Sequence, residues 1–106
     1  MTELDFPSVR YVTDALAAKF GARVVVVPSE DGVSISEDAV IDAIDGRTAL
    51  VAISHVLFRS AYVMDARTVC DAAHERGALV ALDAFHAVGV IPVDVKALGV
   101  DFLTGG

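Results

Sequence analysis

Four short runs of apolar residues constrain the fold of this chain more than any other feature, because patterns typical of helices separate them. The runs cover residues 23–28, 48–54, 78–82 and 100–103; the first contains four consecutive valines, and the next two are rich in valine, leucine and alanine. Runs that are apolar on both faces are typical of parallel strands enclosed between helices. The sequence therefore predicts a three-layer α/β fold, with a mostly parallel sheet and helices on both faces.

The segments between these runs carry the signals of helix starts and stops. Residues from Ser8 to Lys19 repeat apolar positions at helical spacing and are followed by Gly21, a common residue after a helix end. Asp65 is well placed to cap a helix that continues to Arg76. A chain of 106 residues forms one domain at most, and folding it can bury roughly 10,000 Å² of surface.

Charge and composition exclude several classes of partner. Eight basic residues against fifteen acidic ones give a formal charge of −7, which repels nucleic acid and anionic lipid. The single cysteine, Cys70, cannot form an internal disulfide, and no apolar run approaches the ~18 residues of a membrane-spanning helix. We therefore expect a cytoplasmic protein, with neither nucleic acid nor a membrane as its partner.

The residues that follow the apolar runs are the candidates for a binding site, because ligands of open α/β sheets bind beyond the carboxyl ends of the strands. These segments include residues 104–106, after the last run. Residues 83–86 are the segment whose side chains are best suited to binding or catalysis. Asp83 ends a buried strand and His86 follows three residues later, so both groups can reach one ligand. The alternative is that Asp83 caps the following turn and His86 packs locally. His55, after the second run, is predicted to be a structural hydrogen-bonding residue.

Three stretches of the chain resemble the pyridoxal 5'-phosphate (PLP) enzymes of fold type I. They are residues 54–56 (SHV), 82–89 (LDAFHAVG) and 92–102 (PVDVKALGVDF). The chain is similar, more narrowly, to the class V aminotransferase group, with kynureninase nearest, and the likeness begins at residues 5–8 (DFPS). This resemblance implies that residues 1–106 are a single partial domain, the central part of the PLP-binding large domain of a PLP-dependent transferase fold.

The resemblance also implies roles for three residues. Asp83 would pair with the protonated pyridine nitrogen of PLP, His86 would reach its phenolic oxygen or the Schiff base, and Phe6 would stack on its ring. A carboxylate beside the nitrogen favours the charged pyridinium, which is the better electron sink. The implied protein is a homodimeric enzyme acting on an amino acid, either a kynureninase-like hydrolase or a class V aminotransferase.

The chain departs from the kynureninase pattern at two places. Val9 stands where kynureninases carry an aspartate, and residues 57–58 (LF) replace an Asn-Tyr pair. The Schiff-base lysine of the family would lie a few residues beyond Gly106 and the phosphate-binding segment upstream, so a fragment lacking both is expected. Two alternatives without PLP stay open. One is a small acidic α/β binding or signalling domain with Asp83 as phosphoacceptor or metal ligand, and the other is a structural or interface piece without a site.

Residues 1–106 on their own should show little or no activity, because the imine with PLP cannot form without that lysine. Mixing the purified polypeptide with PLP should produce no stable visible imine absorbance. Trapping with borohydride followed by peptide mapping checks this expectation. A trapped imine on one specific lysine, such as Lys19 or Lys96, would contradict it.

Overall fold

The computed structural model describes residues 1–105, and its centre is a three-stranded parallel sheet. The strands lie side by side in chain order: β1 (Leu50–Ser54), β2 (Leu79–Asp83) and β3 (Phe102–Thr104). Leu50 pairs with Leu79, and Leu82 pairs with Leu103. The predicted parallel α/β fold is confirmed. Gly106, the last residue of the chain, lies outside the described residues.

Within residues 1–105, four helices accompany the sheet: α1 (Pro7–Phe20), α2 (Glu37–Asp42), α3 (Ala66–Glu75) and α4 (Val95–Leu98). Side-chain oxygens of Ser36, Asp65 and Asp94 accept backbone N–H groups at the starts of α2, α3 and α4, where such groups lack partners within the helix. Gly21 ends α1 with a φ of 68°, a conformation that a residue without a Cβ adopts readily. The cap at Asp65 and the stop at Gly21 are therefore confirmed. None of the helices in residues 1–105 is long and apolar enough to cross a membrane.

One face of the sheet forms the hydrophobic core together with α2 and α3. The strand residues on this face are buried and belong to the same apolar cluster as Val69 and Cys70 of α3; they are Val51, Ile53, Val80 and Leu82. Burial raises the pKa of the Cys70 thiol to about 11. Cys70 is thus an unreactive core residue at neutral pH.

The second face of the sheet is only partly covered, by α1. Ala52 and Ala81 on this face are half-buried, and large apolar side chains at the other positions are about half exposed; these are Leu50, Leu79 and Phe102. Helix α1 itself has no buried residue, and Val12 and Leu16 on its apolar side are exposed. An open cleft therefore separates α1 from the sheet.

The strand predicted at residues 23–28 is wrong. Only Val27 forms a strand-like bridge: its N–H donates to Met1 O at 2.9 Å, and its carbonyl accepts from Glu3 N at 3.0 Å. A strand forms by pairing with a neighbouring strand, and within the described residues this segment meets only the short N-terminal stretch.

Asp101, directly before β3, connects α3 to the sheet through hydrogen bonds. Its Oδ2 accepts from His74 Nε2 at 2.8 Å and from Val80 N at 2.7 Å. The His74 hydrogen bond and then the Val80 N–H lower the pKa of the Asp101 carboxyl group. No local sequence pattern indicates this pairing, because His74 and Asp101 lie 27 positions apart.

His55 connects the ends of β1 and β2 through its backbone. Its N–H donates to Asp83 O at 2.9 Å and its carbonyl accepts from Met64 N at 2.9 Å. The imidazole is buried, and its Nδ1 has no hydrogen-bond partner within residues 1–105. The predicted hydrogen-bonding role is therefore wrong for the ring and belongs to the backbone. Burial lowers the pKa of the His55 imidazole.

The loop after β1 folds back on itself and contains a strained residue. Val56 bridges Val63 in antiparallel fashion, and Leu57 N donates to Tyr62 O at 2.9 Å. At this bend Ala61 has a φ of 58°, and no other non-glycine residue in the described chain has a positive φ. A Cβ in this conformation costs about 1–2 kcal/mol.

Replacing Ala61 by glycine should stabilise the protein. The relief of strain exceeds the extra entropy of glycine in the unfolded chain, so we expect the free energy of unfolding to rise by about 0.5–1 kcal/mol. Urea unfolding measures the change. Ala18→Gly, on an exposed position of α1, is the matched control and should lower stability by about 1 kcal/mol. Destabilisation by Ala61→Gly would show that the bend is unstrained.

The buried His55 ring should make stability depend on pH. Because its folded-state pKa lies below its ordinary value of about 6.5, the unfolded chain binds the proton more readily, and stability falls as pH drops below about 6.5. The slope cannot exceed about 1.4 kcal/mol per pH unit. Urea unfolding between pH 5.5 and 7.5 should show a smaller slope for His55→Phe than for the parent. Equal slopes would mean that the ring titrates as it does in water.

Candidate functional site

Asp83 lies at the carboxyl end of the central strand β2 and is half-exposed. Its Oδ1 accepts the N–H of Phe85 at 3.0 Å, whereas Oδ2 has no hydrogen-bond donor among residues 1–105. One oxygen thus stabilises the following turn, as the capping alternative predicts, and the other is available to a ligand. The strand register places hydroxyl side chains on both sides, from Ser54 and Thr104.

The neighbours of Asp83 bear on the alternative of a phosphoacceptor or metal site. Such a site gathers several acidic groups around one strand end, because carboxylate oxygens are the ligands that Mg²⁺ prefers. Ser54 and Thr104, which flank Asp83 in the register, are not acidic. The described part of the chain contains no cluster of three or more potential metal ligands. Among residues 1–105, the strand ends around Asp83 therefore offer one carboxylate and two hydroxyl groups.

A cleft of about 270 Å³ opens in front of Asp83. The first turns of α1 form one wall, which includes Val9, and the sheet forms the other. Ala52 and Ala81 line the sheet side, where their small side chains leave room between the two walls. The volume lies near the lower limit of small-molecule sites. Neighbouring side chains therefore do not seal Asp83 off, and a planar ring has space in front of it.

An aromatic cluster, formed by Phe6, Phe58, Phe85 and His86, stands beside this strand end. The centroid of the Phe6 ring lies 5.0 Å from that of Phe58 and 6.2 Å from that of His86. His86 also packs edge-on against Phe85, at 5.0 Å, and its ring makes no hydrogen bond to another residue of the described chain. The structure thus brings Phe6 and His86 together, although 80 positions separate them in the sequence.

Two members of this cluster were not predicted from the sequence. Phe58 packs near both rings, with its centroid 5.0 Å from that of Phe6 and 6.4 Å from that of His86, and Arg59 places its guanidinium carbon 5.2 Å from the Phe58 centroid. Phe85 directly precedes His86. A signal existed for Phe58, because it follows β1 at the same sheet edge as Asp83.

A buried carboxylate was also missed. Asp5 is 6% exposed, and it joins the N-terminal segment to β1. Its Oδ2 accepts from Thr2 N at 2.6 Å and its Oδ1 accepts from Ser54 N at 2.8 Å. Asp5 immediately precedes Phe6, so the aromatic cluster and the end of β1 meet through this residue.

Comparison with known sequences identifies relatives over the whole chain. The family model of aminotransferase class V matches residues 1–106. The uncharacterized aminotransferase YcbU of Bacillus subtilis (strain 168) is 37% identical over 105 residues, which are 99% of this chain and 27% of that protein. Kynureninase of Geobacillus thermodenitrificans (strain NG80-2) is 36% identical over 104 residues, 94% of this chain and 24% of that protein. The chain spans about a quarter of the length of these relatives.

Solved structures share the fold. The cystine C-S lyase C-DES, in complex with its product cysteine persulfide, gives a TM-score of 0.87 at 21% identity, over 98% of this chain and 29% of that chain. A C-DES mutant with glycine covalently linked to its PLP cofactor gives the same score. Ureidoglycine-glyoxylate aminotransferase from Bacillus subtilis gives 0.81 at 21% identity, over 100% of this chain and 27% of that chain.

The structural similarity at low sequence identity establishes the fold, which is that of PLP-dependent transferases. The family model establishes common ancestry with the family. The match of that model runs from the first residue to the last. It includes the end of β2, where Asp83 faces the cleft. This chain belongs to the aminotransferase class-V family.

Proposed function

We propose that residues 1–106 form part of the PLP-binding large domain of an enzyme acting on an amino acid, and that they supply the wall facing the pyridine ring. The observation that carries this proposal is the position of Asp83: half-exposed, with one unpartnered oxygen, at the edge of a cleft. Family membership supports the choice of cofactor.

Asp83 would hold the pyridine nitrogen. A carboxylate next to the nitrogen favours its protonated form, since opposite charges raise the pKa of the pyridinium. No lysine or arginine lies within 4 Å of Asp83 among residues 1–105, so no side-chain cation of the described chain competes for the carboxylate. The Phe85 N–H fixes the orientation of the carboxylate through Oδ1. When bound, PLP supplies an electron sink for the bond broken at the substrate Cα.

Phe6 and His86 do not line the cleft itself, and would contact the cofactor from the neighbouring aromatic cluster. Phe6 offers an aromatic face, and aromatic rings stack favourably in offset or edge-on arrangements. His86 would donate an N–H to the phenolic oxygen of the cofactor, because its ring nitrogens are not engaged by other residues of the described chain. Contacts with Phe6, Phe58 and Phe85 restrict the imidazole, and a restricted group loses less entropy on binding.

Within this family we favour transamination over kynureninase-like hydrolysis. Val9 lines the cleft. Kynureninases carry an aspartate at this position, whereas the valine side chain is apolar. Leu57 is buried and Phe58 belongs to the aromatic cluster, so neither supplies the polar groups of the corresponding Asn-Tyr pair. An amino-acid substrate is common to both reactions.

We further propose that the complete protein is a homodimer. The loop after Asp83 exposes several large apolar side chains, namely Phe85, Val88 and Val90. Large apolar side chains exposed on one loop are typical of surfaces that contact another part of the protein or a partner. Sedimentation equilibrium of the full-length protein measures the state, and a monomer at micromolar concentration would contradict the proposal.

Two substitutions at Asp83 test its role in the full-length protein. Asp83→Asn keeps an oxygen for the Phe85 N–H but removes the charge, so we expect turnover to fall by about 10²-fold or more with an intact fold. Asp83→Ala should lose at least as much turnover. Steady-state kinetics and circular dichroism give the two readouts.

The matched control is Asp94→Asn, at the cap of α4, which should retain turnover near the parent level. If Asp83→Asn also retains parent activity, Asp83 serves only the turn and the proposed function is wrong.

A further inference from the structure

Asp5 occupies a junction that the proposed function does not use. It is buried, and its two carboxylate oxygens each accept one backbone N–H, from Thr2 and from Ser54. No lysine or arginine lies within 4 Å of it in the described chain. Hydrogen bonds from N–H groups to a carboxylate are short and strong, so this residue joins two segments that are distant in the sequence through backbone N–H groups.

The bond to Ser54 falls at the open edge of the sheet. The N–H of His55 donates to Asp83 O, towards β2, and successive N–H groups of a strand point to opposite edges. The N–H of Ser54 therefore points away from β2. β1 is an outer strand of the three-stranded sheet, and Oδ1 of Asp5 takes the place of a strand partner at 2.8 Å.

The segment that Asp5 joins to β1 includes the backbone of Phe6. Phe6 follows Asp5 directly and begins α1 without any side-chain cap hydrogen bond. Its ring is exposed by 41% and meets Phe58 and His86 only at its edges or at a tilt. These contacts restrain the ring but are individually weak, so the backbone position set by Asp5 also governs where the ring stands.

We propose that Asp5 is a positioning residue that holds the Phe6 ring in a fixed relation to Asp83, so that both are presented together to the aromatic ring of the cofactor. The connection runs from Phe6 through the Asp5 carboxylate to Ser54, and from His55 N to Asp83 O. This inference rests on the proposed function, and its test therefore has one arm that contains no PLP.

The first arm observes Phe6 alone. With 4-fluorophenylalanine at position 6 of the full-length protein, the fluorine resonance should be sharp and displaced by the neighbouring rings. In Asp5→Asn, whose amide group meets one of the two N–H donors unfavourably, we expect the resonance to broaden and to move towards that of the unfolded protein. Asp101→Asn, which removes another carboxylate bonded to a backbone N–H, should leave it unchanged. An unchanged resonance in Asp5→Asn overturns the proposal.

The second arm is a double-mutant cycle on PLP affinity. Asp5→Asn and Phe6→Leu should each raise the PLP dissociation constant by about ten-fold, the effect of losing one good ring contact. If Asp5 acts through Phe6, the double variant should lie within about three-fold of the weaker single variant. Visible circular dichroism per bound PLP should fall equally in all three.

The two arms separate the failure of each idea. If the losses of PLP affinity in the two single variants multiply in the double variant, Asp5 acts independently of Phe6. That result would overturn the inference. If the parent protein binds no PLP, the proposed function fails, while the fluorine resonance still decides whether Asp5 sets the position of Phe6.

Discussion

The parallel pairing of β1 with β2 is the constraint on which the site depends. Because the two strands are in register through Ser54 and Asp83, they end at one edge of the sheet, and the chain leaves both at the same level. The loop carrying Phe58 and the turn carrying His86 are therefore neighbours. A shift of one residue would turn every side chain to the opposite face, which would move Asp83 into the core and an apolar residue to the cleft.

The sequence was sufficient to predict the elements whose determinants are local. Alternating apolar runs and helix signals identified β1, β2 and α3, and the rule for strand ends pointed to Asp83. The segment at 23–28 shows the limit of this reasoning, because an apolar run predicts a capacity to pair, not the presence of a partner. Asp5 was missed for a related reason: its partner Ser54 lies 49 positions away, and no local pattern marks such a bond.

The candidate site divides into a rigid part and a restrained part. Asp83 belongs to the sheet, and its orientation is fixed by a hydrogen bond within its own turn. Phe6 and His86 stand on a helix start and a turn and are held by contacts between rings, which are individually weak. Resemblance to a family indicated these two residues, but only the folded chain shows that Phe58 lies against both.

The floor of the cleft consists of Ala52 and Ala81, which belong to strands and not to loops. Strands within a sheet tolerate few changes, since each side chain there also packs against its neighbours. The thickness of any group admitted beside Asp83 is consequently set by the scaffold. Changes in the loops at the strand ends would alter the mouth of the cleft and leave the width of its floor unchanged.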